Sequence, residues 1–275
     1  MIKDISVSLR MGEQDSPAEK YAISMAAALK AHVAGIAFAY DPVEMMAQWG
    51  YMAAAVGEQW PDYKEQAAAT LDRFSEAAGR AAISFERIMV PVDLANVGDR
   101  FGGIARRFDL SIVAQPEAEK AAVEKMIVSG AIFDSGRPVV VVPYIQTAPF
   151  KLDRVMICWD NSRPAARAIA DAMPVLGLAR STEVVTVVEG ALNEDEPDRA
   201  DIGQHLTRHG LSVSINRIVR EKIDVASALL SHAADSGADL IVMGAYGHSR
   251  LREFILGGVT QSMLRSMTVP VLMSH

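Results

Sequence analysis

Short apolar runs recur along the chain, separated by longer stretches in which apolar positions return every three to four residues. Asp109-Leu110-Ser111-Ile112-Val113 is echoed by Asp239-Leu240-Ile241-Val242-Met243, 130 residues further on. Arg137-Pro138-Val139-Val140-Val141-Val142-Pro143 is matched by Val269-Pro270-Val271-Leu272-Met273, with 132 residues between the prolines. Lys3-Asp4-Ile5-Ser6-Val7-Ser8-Leu9 resembles Asp153-Arg154-Val155-Met156-Ile157-Cys158-Trp159 at an offset of 150. The order and spacing of a repeat are there, with about 20 residues more between the first and fourth runs of the first half.

Strands alternating with helices build a parallel sheet covered on both faces, so the pattern predicts an α/β fold, twice. In the first half it predicts strands near 2–9, 33–38, 84–90, 109–114 and 138–143, with helices near 16–31, 63–79, 98–107 and 118–134. In the second it predicts strands near 153–159, 182–188, 213–219, 239–243 and 269–273, with helices near 163–178, 196–209, 224–236 and 258–267. The domains expected are 1–146 and 152–275; Tyr144 to Lys151 carries Thr147, Pro149 and no apolar period, and suits a linker.

The unpaired segment of the first half, Asp41 to Asp62, contains Met45, Met46, Trp49, Tyr51, Met52 and Trp60. Met and Trp supply adaptable contact area, which suits a flap or a protein-partner surface in 41–62; an insertion packed on its own domain is the plainer reading.

Composition narrows the functional classes. Of 275 residues, 50% are hydrophobic and 22% charged, enough for a core and unlike a disordered chain. A net charge of −7 argues against gripping a nucleic-acid backbone. The single cysteine, Cys158, excludes an internal disulfide or a cysteine-based zinc cluster. Met1-Ile2-Lys3-Asp4-Ile5 does not read as a signal peptide, and no apolar run approaches the ~18 residues of a bilayer span. The expectation is a cytoplasmic protein with no membrane or nucleic-acid partner.

The most informative stretch runs from Gly244 to Thr260, directly after an apolar run: Gly244-Ala245-Tyr246-Gly247-His248-Ser249-Arg250, then Leu251 to Ile255, then Leu256-Gly257-Gly258-Val259-Thr260. Glycines admit a bulky anion to the backbone amides, and a helix beginning at Gly257-Gly258 presents unpaired N–H groups and the positive end of its dipole. Three glycines at fixed offsets arise by chance in roughly one chain in ten of this length, so context carries the weight. A strand before and a helix after, at the carboxyl end of a parallel sheet, is where ligands bind in open α/β folds. A tight strand-to-helix turn without ligand is the alternative.

The chain resembles the universal stress protein family in its tandem form, whose nucleotide-binding members carry Gly, two residues, Gly, nine residues, Gly, then Ser or Thr. Gly244, Gly247 and Gly257 match that spacing, while Gly258 stands at the hydroxyl position and Val259 and Thr260 continue the run. The resemblance implies Rossmann-like domains of the adenine nucleotide alpha hydrolase type, paired as a pseudo-dimer through their last strands, where Pro138 and Pro270 suit an edge. A further homodimer is compatible with it. It implies an adenine nucleotide (ATP, ADP or AMP, with Mg if ATP), held in the second half by Asp160, Val187, Val188, Met243, Gly244, Gly247, His248, Gly257, Gly258, Val259 and Thr260. For Asp160 an N-cap role stands beside ribose or adenine binding; for the apolar three, strand core does; for Thr260, a replacement hydroxyl is implied.

The matching place in the first half reads Ala114-Gln115-Pro116-Glu117-Ala118-Glu119, and Leu9 is followed by Arg10, Met11 and Gly12. Glu117, Glu119 and Glu124 set negative charge where phosphate would lie, so this half is expected not to bind nucleotide. No other chemistry has its residues: there is no Gly-x-Ser-x-Gly elbow, no P-loop and no His-Glu-x-x-His. His205 and His209 are four apart with no third ligand nearby in sequence, and Cys158 lies inside a predicted buried strand. The function expected is a stress-response nucleotide sensor without efficient catalysis. The alternatives are a nucleotide-free scaffold and a slow ATPase or self-phosphorylating protein that lacks an evident general base.

Overall fold

A computed structural model describes residues 1–40, 62–117, 121–189, 200–220, 223–246 and 258–275. The segment 41–61 lies outside the described residues, as do Gly247, His248 and Gly257. Among the described residues ten strands form one sheet: β1 (Asp4–Ser8), β2 (His32–Tyr40), β3 (Phe85–Val92), β4 (Leu110–Ala114), β5 (Val139–Val142), β6 (Arg154–Cys158), β7 (Ser181–Glu189), β8 (Val213–Arg220), β9 (Leu240–Gly244) and β10 (Val271–Ser274). Their spatial order is β3-β2-β1-β4-β5-β10-β9-β6-β7-β8. Each half is a parallel 3-2-1-4-5 sheet, and the halves join where β5 and β10 run antiparallel, Val140 opposite Leu272.

The eight helices described are α1 (Pro17–Leu29), α2 (Tyr63–Arg80), α3 (Val97–Ala105), α4 (Ala121–Phe133), α5 (Arg163–Leu176), α6 (Ala200–Arg208), α7 (Val225–Ser236) and α8 (Gly258–Ser266). Right-handed crossovers put helices on one face while strand order advances outward and on the other once it reverses. One apolar core accordingly holds Tyr21 of α1, Phe74 of α2, Ile169 of α5 and Leu206 of α6. The other holds Phe101 of α3, Ile132 of α4, Leu229 of α7 and Met263 of α8. Each core crosses both halves, so the halves are related by a pseudo-twofold axis normal to the sheet, and their carboxyl edges point in opposite directions.

The echoed aspartates explain part of the repeat. Asp109 Oδ2 accepts from the N–H groups of Lys3 and Asp4 at 2.8 and 3.1 Å, and Asp239 Oδ2 accepts from Asp153 and Arg154 at 2.8 and 3.0 Å. In each half the residue before the fourth strand thus ties down the entry to the first. The central strands β4, β5, β9 and β10 are buried on both faces, as their continuous apolar runs predict. The outermost strands β3 and β8 are less buried, with three exposed residues in each, and carry Glu86, Arg87, Pro91, Arg217 and Arg220, residues that discourage edge pairing.

Two helices approach where glycines allow it. A Cβ at Gly130 of α4 would stand 2.0 Å from the Gly98 carbonyl oxygen of α3, and one at Gly98 would stand 2.5 Å from that of Met126. No described helix is long and apolar enough to cross a membrane.

Candidate functional site

In the second half strand order reverses between β6 and β9, and the chain leaves both strands at the same edge. That is the crevice in which open α/β sheets hold ligands. After β6, Trp159 N–H donates to the Val185 carbonyl at 2.9 Å, extending the pairing with β7, and Asn161 then turns the chain with φ +60°. Ser162 Oγ accepts from Ala165 N–H at 3.2 Å and Pro164 sits in the first turn of α5, so the N-cap is Ser162. Asp160 is exposed, and its Oδ1 accepts from Ser162 N–H at 3.0 Å. The Asp160 carboxylate therefore shapes the turn with one oxygen and has the other available for a ligand.

Val187 and Val188 follow in β7, beyond the stretch paired with β6, and both are half-buried. Met243 is buried in β9. Cys158 ends β6, half-buried against the core that holds Met156, and burial, assisted by the nearby Asp160 charge, pushes its thiol up to about 12, which makes it a poor nucleophile.

The described ends of the glycine loop have structural duties. A Cβ at Gly244 would lie 2.5 Å from Ala165 N and from the Pro164 carbonyl carbon, so glycine lets the end of β9 touch the start of α5. Tyr246 has φ +59°, and its N–H donates to Thr260 Oγ1 at 3.2 Å. Thr260 is buried, and its hydroxyl holds the start of α8 against the beginning of the loop. Gly258 and Val259 are exposed at the helix start, and a Cβ at Gly258 would meet none of the described residues within 4 Å.

The first half presents a different edge. Glu117 and Glu124, expected as repulsive charges, both pair with Arg10, at 2.7 and 3.2 Å; Glu119 lies outside the described residues. Buried Gln115 donates from Nε2 to the Leu264 carbonyl of α8 at 2.9 Å and accepts at Oε1 from Tyr144 N–H at 3.3 Å. Across the pseudo-axis, Phe133 of α4 meets Tyr246 with ring centroids 4.6 Å apart and His275 at 5.0 Å. Sequence reading missed these contacts between the halves, although Gln115 and Ala245 stand at the shared offset of 130. The His205 and His209 rings lie 4.7 Å apart, and no group of three or more metal-ligating side chains occurs among the described residues.

Fold and edge geometry define an α/β protein of two like halves, each with a ligand-type crevice where strand order reverses. Residues 151–275 match the universal stress protein family model. A universal stress protein of Synechocystis sp. is 27% identical over 124 residues, 44% of this chain and 42% of that protein. One from Methanocaldococcus jannaschii is 42% identical over 40 residues, 14% of this chain and 25% of that protein. The chain thus spans less than half the length of the curated relatives it matches. Among solved structures, a universal stress protein from Archaeoglobus fulgidus shares the fold with a TM-score of 0.72 at 17% identity, covering 98% of this chain and 95% of that one. A functionally unknown protein from Pseudomonas aeruginosa gives 0.62 at 15% identity, covering 99% and 92%. The second half of the chain is a universal stress protein domain.

Proposed function

We propose that the second half binds an adenine nucleotide at its carboxyl edge, and that the protein serves as a cytoplasmic stress-response sensor without efficient catalysis. The observation that carries this is that an exposed carboxylate, Asp160, and a helix start at Gly258 with no described residue within 4 Å of a Cβ there both lie at the edge where strand order reverses. Asp160 accepts from the ribose or adenine edge, and Val187, Val188 and Met243 flank the base. The N–H groups at the start of α8 receive phosphate, favoured by the helix dipole. Gly244 keeps β9 close to α5, and Thr260 fixes the helix start by bonding Tyr246. Gly247, His248 and Gly257 complete the loop in this reading, with Mg accompanying ATP.

A scaffold without nucleotide is favoured by one observation: Gly244 and Thr260 both have packing roles that need no ligand. Denaturing the freshly purified protein separates the two readings. Nucleotide binding predicts release of a compound absorbing at the adenine maximum, absent from Gly247→Glu, whose side chain fills and charges the loop. A scaffold releases nothing from either protein.

A further inference from the structure

The first half lacks the glycine loop, yet its sheet also reverses strand order, between β1 and β4. At the carboxyl ends of these strands lies a cavity of about 620 Å³, a size typical of small-molecule sites. Phe38 and Tyr40 from the end of β2 and Val123 and Ile127 from α4 supply apolar wall, and Arg10, Glu13, Glu117 and Glu124 supply charge. The position that carries Asp160 in the second half carries Arg10 here, at the first-strand offset of 150.

The Arg10 guanidinium lies 2.7 Å from Glu117, 3.2 Å from Glu124 and 3.6 Å from Glu13. Burial works against its charge, but the Glu117 hydrogen bond and the Glu124 and Glu13 carboxylates outweigh this and hold it protonated. Glu13 Oε2 and Glu124 Oε2 are buried with no hydrogen-bond partner among the described residues. Arg73 donates to the Glu13 backbone carbonyl at 3.1 Å from outside the lining; among the lining residues one guanidinium against three carboxylates leaves a net negative wall, which repels phosphate and attracts a cation. Burial raises the Tyr40 hydroxyl above its ordinary range, so the ring stays neutral, and the half-buried aromatic face of Tyr40 adds attraction for an ammonium group.

We infer that the first-half cavity binds an organic amine: an ammonium group drawn to the carboxylates around Arg10, on an apolar or aromatic body lying against Tyr40, Val123 and Ile127. The inference does not depend on nucleotide binding, because the two carboxyl edges face opposite ways across the pseudo-axis.

Calorimetric titration of the full chain with tryptamine, and with indole-3-propionate as the same ring with the opposite charge, tests this. The expected result is one tryptamine site with Kd below roughly 1 mM and no propionate binding. Glu124→Gln should weaken tryptamine at least about fivefold through loss of one charge. Val123→Trp should abolish binding by filling the apolar wall, with circular dichroism confirming the fold; if Glu124→Gln does not fold, Val123→Trp decides alone. Absence of heat at roughly 10 mM tryptamine, equal binding of indole-3-propionate, or tryptamine binding untouched by Val123→Trp would each overturn the inference.

Discussion

Replacing Gly258 by serine should strengthen nucleotide binding. Gly258 opens α8 where the family pattern carries a hydroxyl, and among the described residues the position accepts a side chain: a Cβ there meets none of them within 4 Å and the backbone is not in the left-handed region. Serine at a helix start also stabilises the helix by about 0.5 kcal/mol relative to glycine, so the variant should fold at least as well. A hydroxyl donating to a charged phosphate contributes about 1.5–3 kcal/mol. At about 1.4 kcal/mol per decade, that is roughly a 10- to 150-fold lower Kd for Gly258→Ser. The assay is calorimetric titration of magnesium ATP into wild type and variant, each unfolded and refolded to strip ligand carried from the host. Adenosine serves as the control, since it has no phosphate for the new hydroxyl. Equal ATP affinity in the two folded proteins, or an equal gain for adenosine, would refute placement of the phosphate at the start of α8.

Three further outcomes follow from the packing. Gly130→Ala forces α3 and α4 apart, because the new Cβ would lie 2.0 Å from the Gly98 carbonyl oxygen; urea denaturation should show a loss of about 1–3 kcal/mol, and an unchanged midpoint would show that the crossing relaxes freely. Gln115→Leu removes the donor to Leu264 and the acceptor for Tyr144, and should cost about 1–3 kcal/mol by removing two part-buried hydrogen bonds at the junction; wild-type stability would deny that the junction relies on it. Cys158 should react with iodoacetamide at pH 8 roughly a thousandfold more slowly in the folded than in the unfolded protein, since only the thiolate attacks. Because burial raises its pKa on folding from 9.0 to about 12, stability should decline as pH rises above 9, where the unfolded thiol ionises and the folded one does not. Cys158→Ala should flatten that alkaline decline, and an identical slope would place the thiol in water.

Much of the fold could be read from the repeat, because strand cores are continuous apolar runs that stand out locally in the sequence. The runs at Leu110 and Leu240 are buried strands, and Asp109 and Asp239 bond to the chain just before or at the start of β1 and β6. The role of the prolines became clear only in three dimensions: Pro138 and Pro270 precede edges of each half that become the middle of one continuous sheet. Local hydrogen-bond competition decided the start of α5, where Ser162 caps and Asp160 turns the chain. The charged cluster of the first half was illegible because Arg10 meets Glu117 and Glu124 across 107 and 114 residues. Sequence showed the acidic side chains near the expected phosphate position, and only packing showed which cation they surround. The same holds for Thr260, whose hydroxyl is engaged by Tyr246 across the loop.

Nucleotide occupancy of the second-half edge is tested most directly by titrating magnesium ATP into refolded wild type and Asp160→Ala side by side. Asp160 is exposed, so its removal leaves the cores intact. The account predicts one site per chain with micromolar or tighter affinity, weakened at least about tenfold by Asp160→Ala through loss of a hydrogen bond to a charged group. No heat at millimolar ATP, or binding that Asp160→Ala leaves untouched, would contradict it.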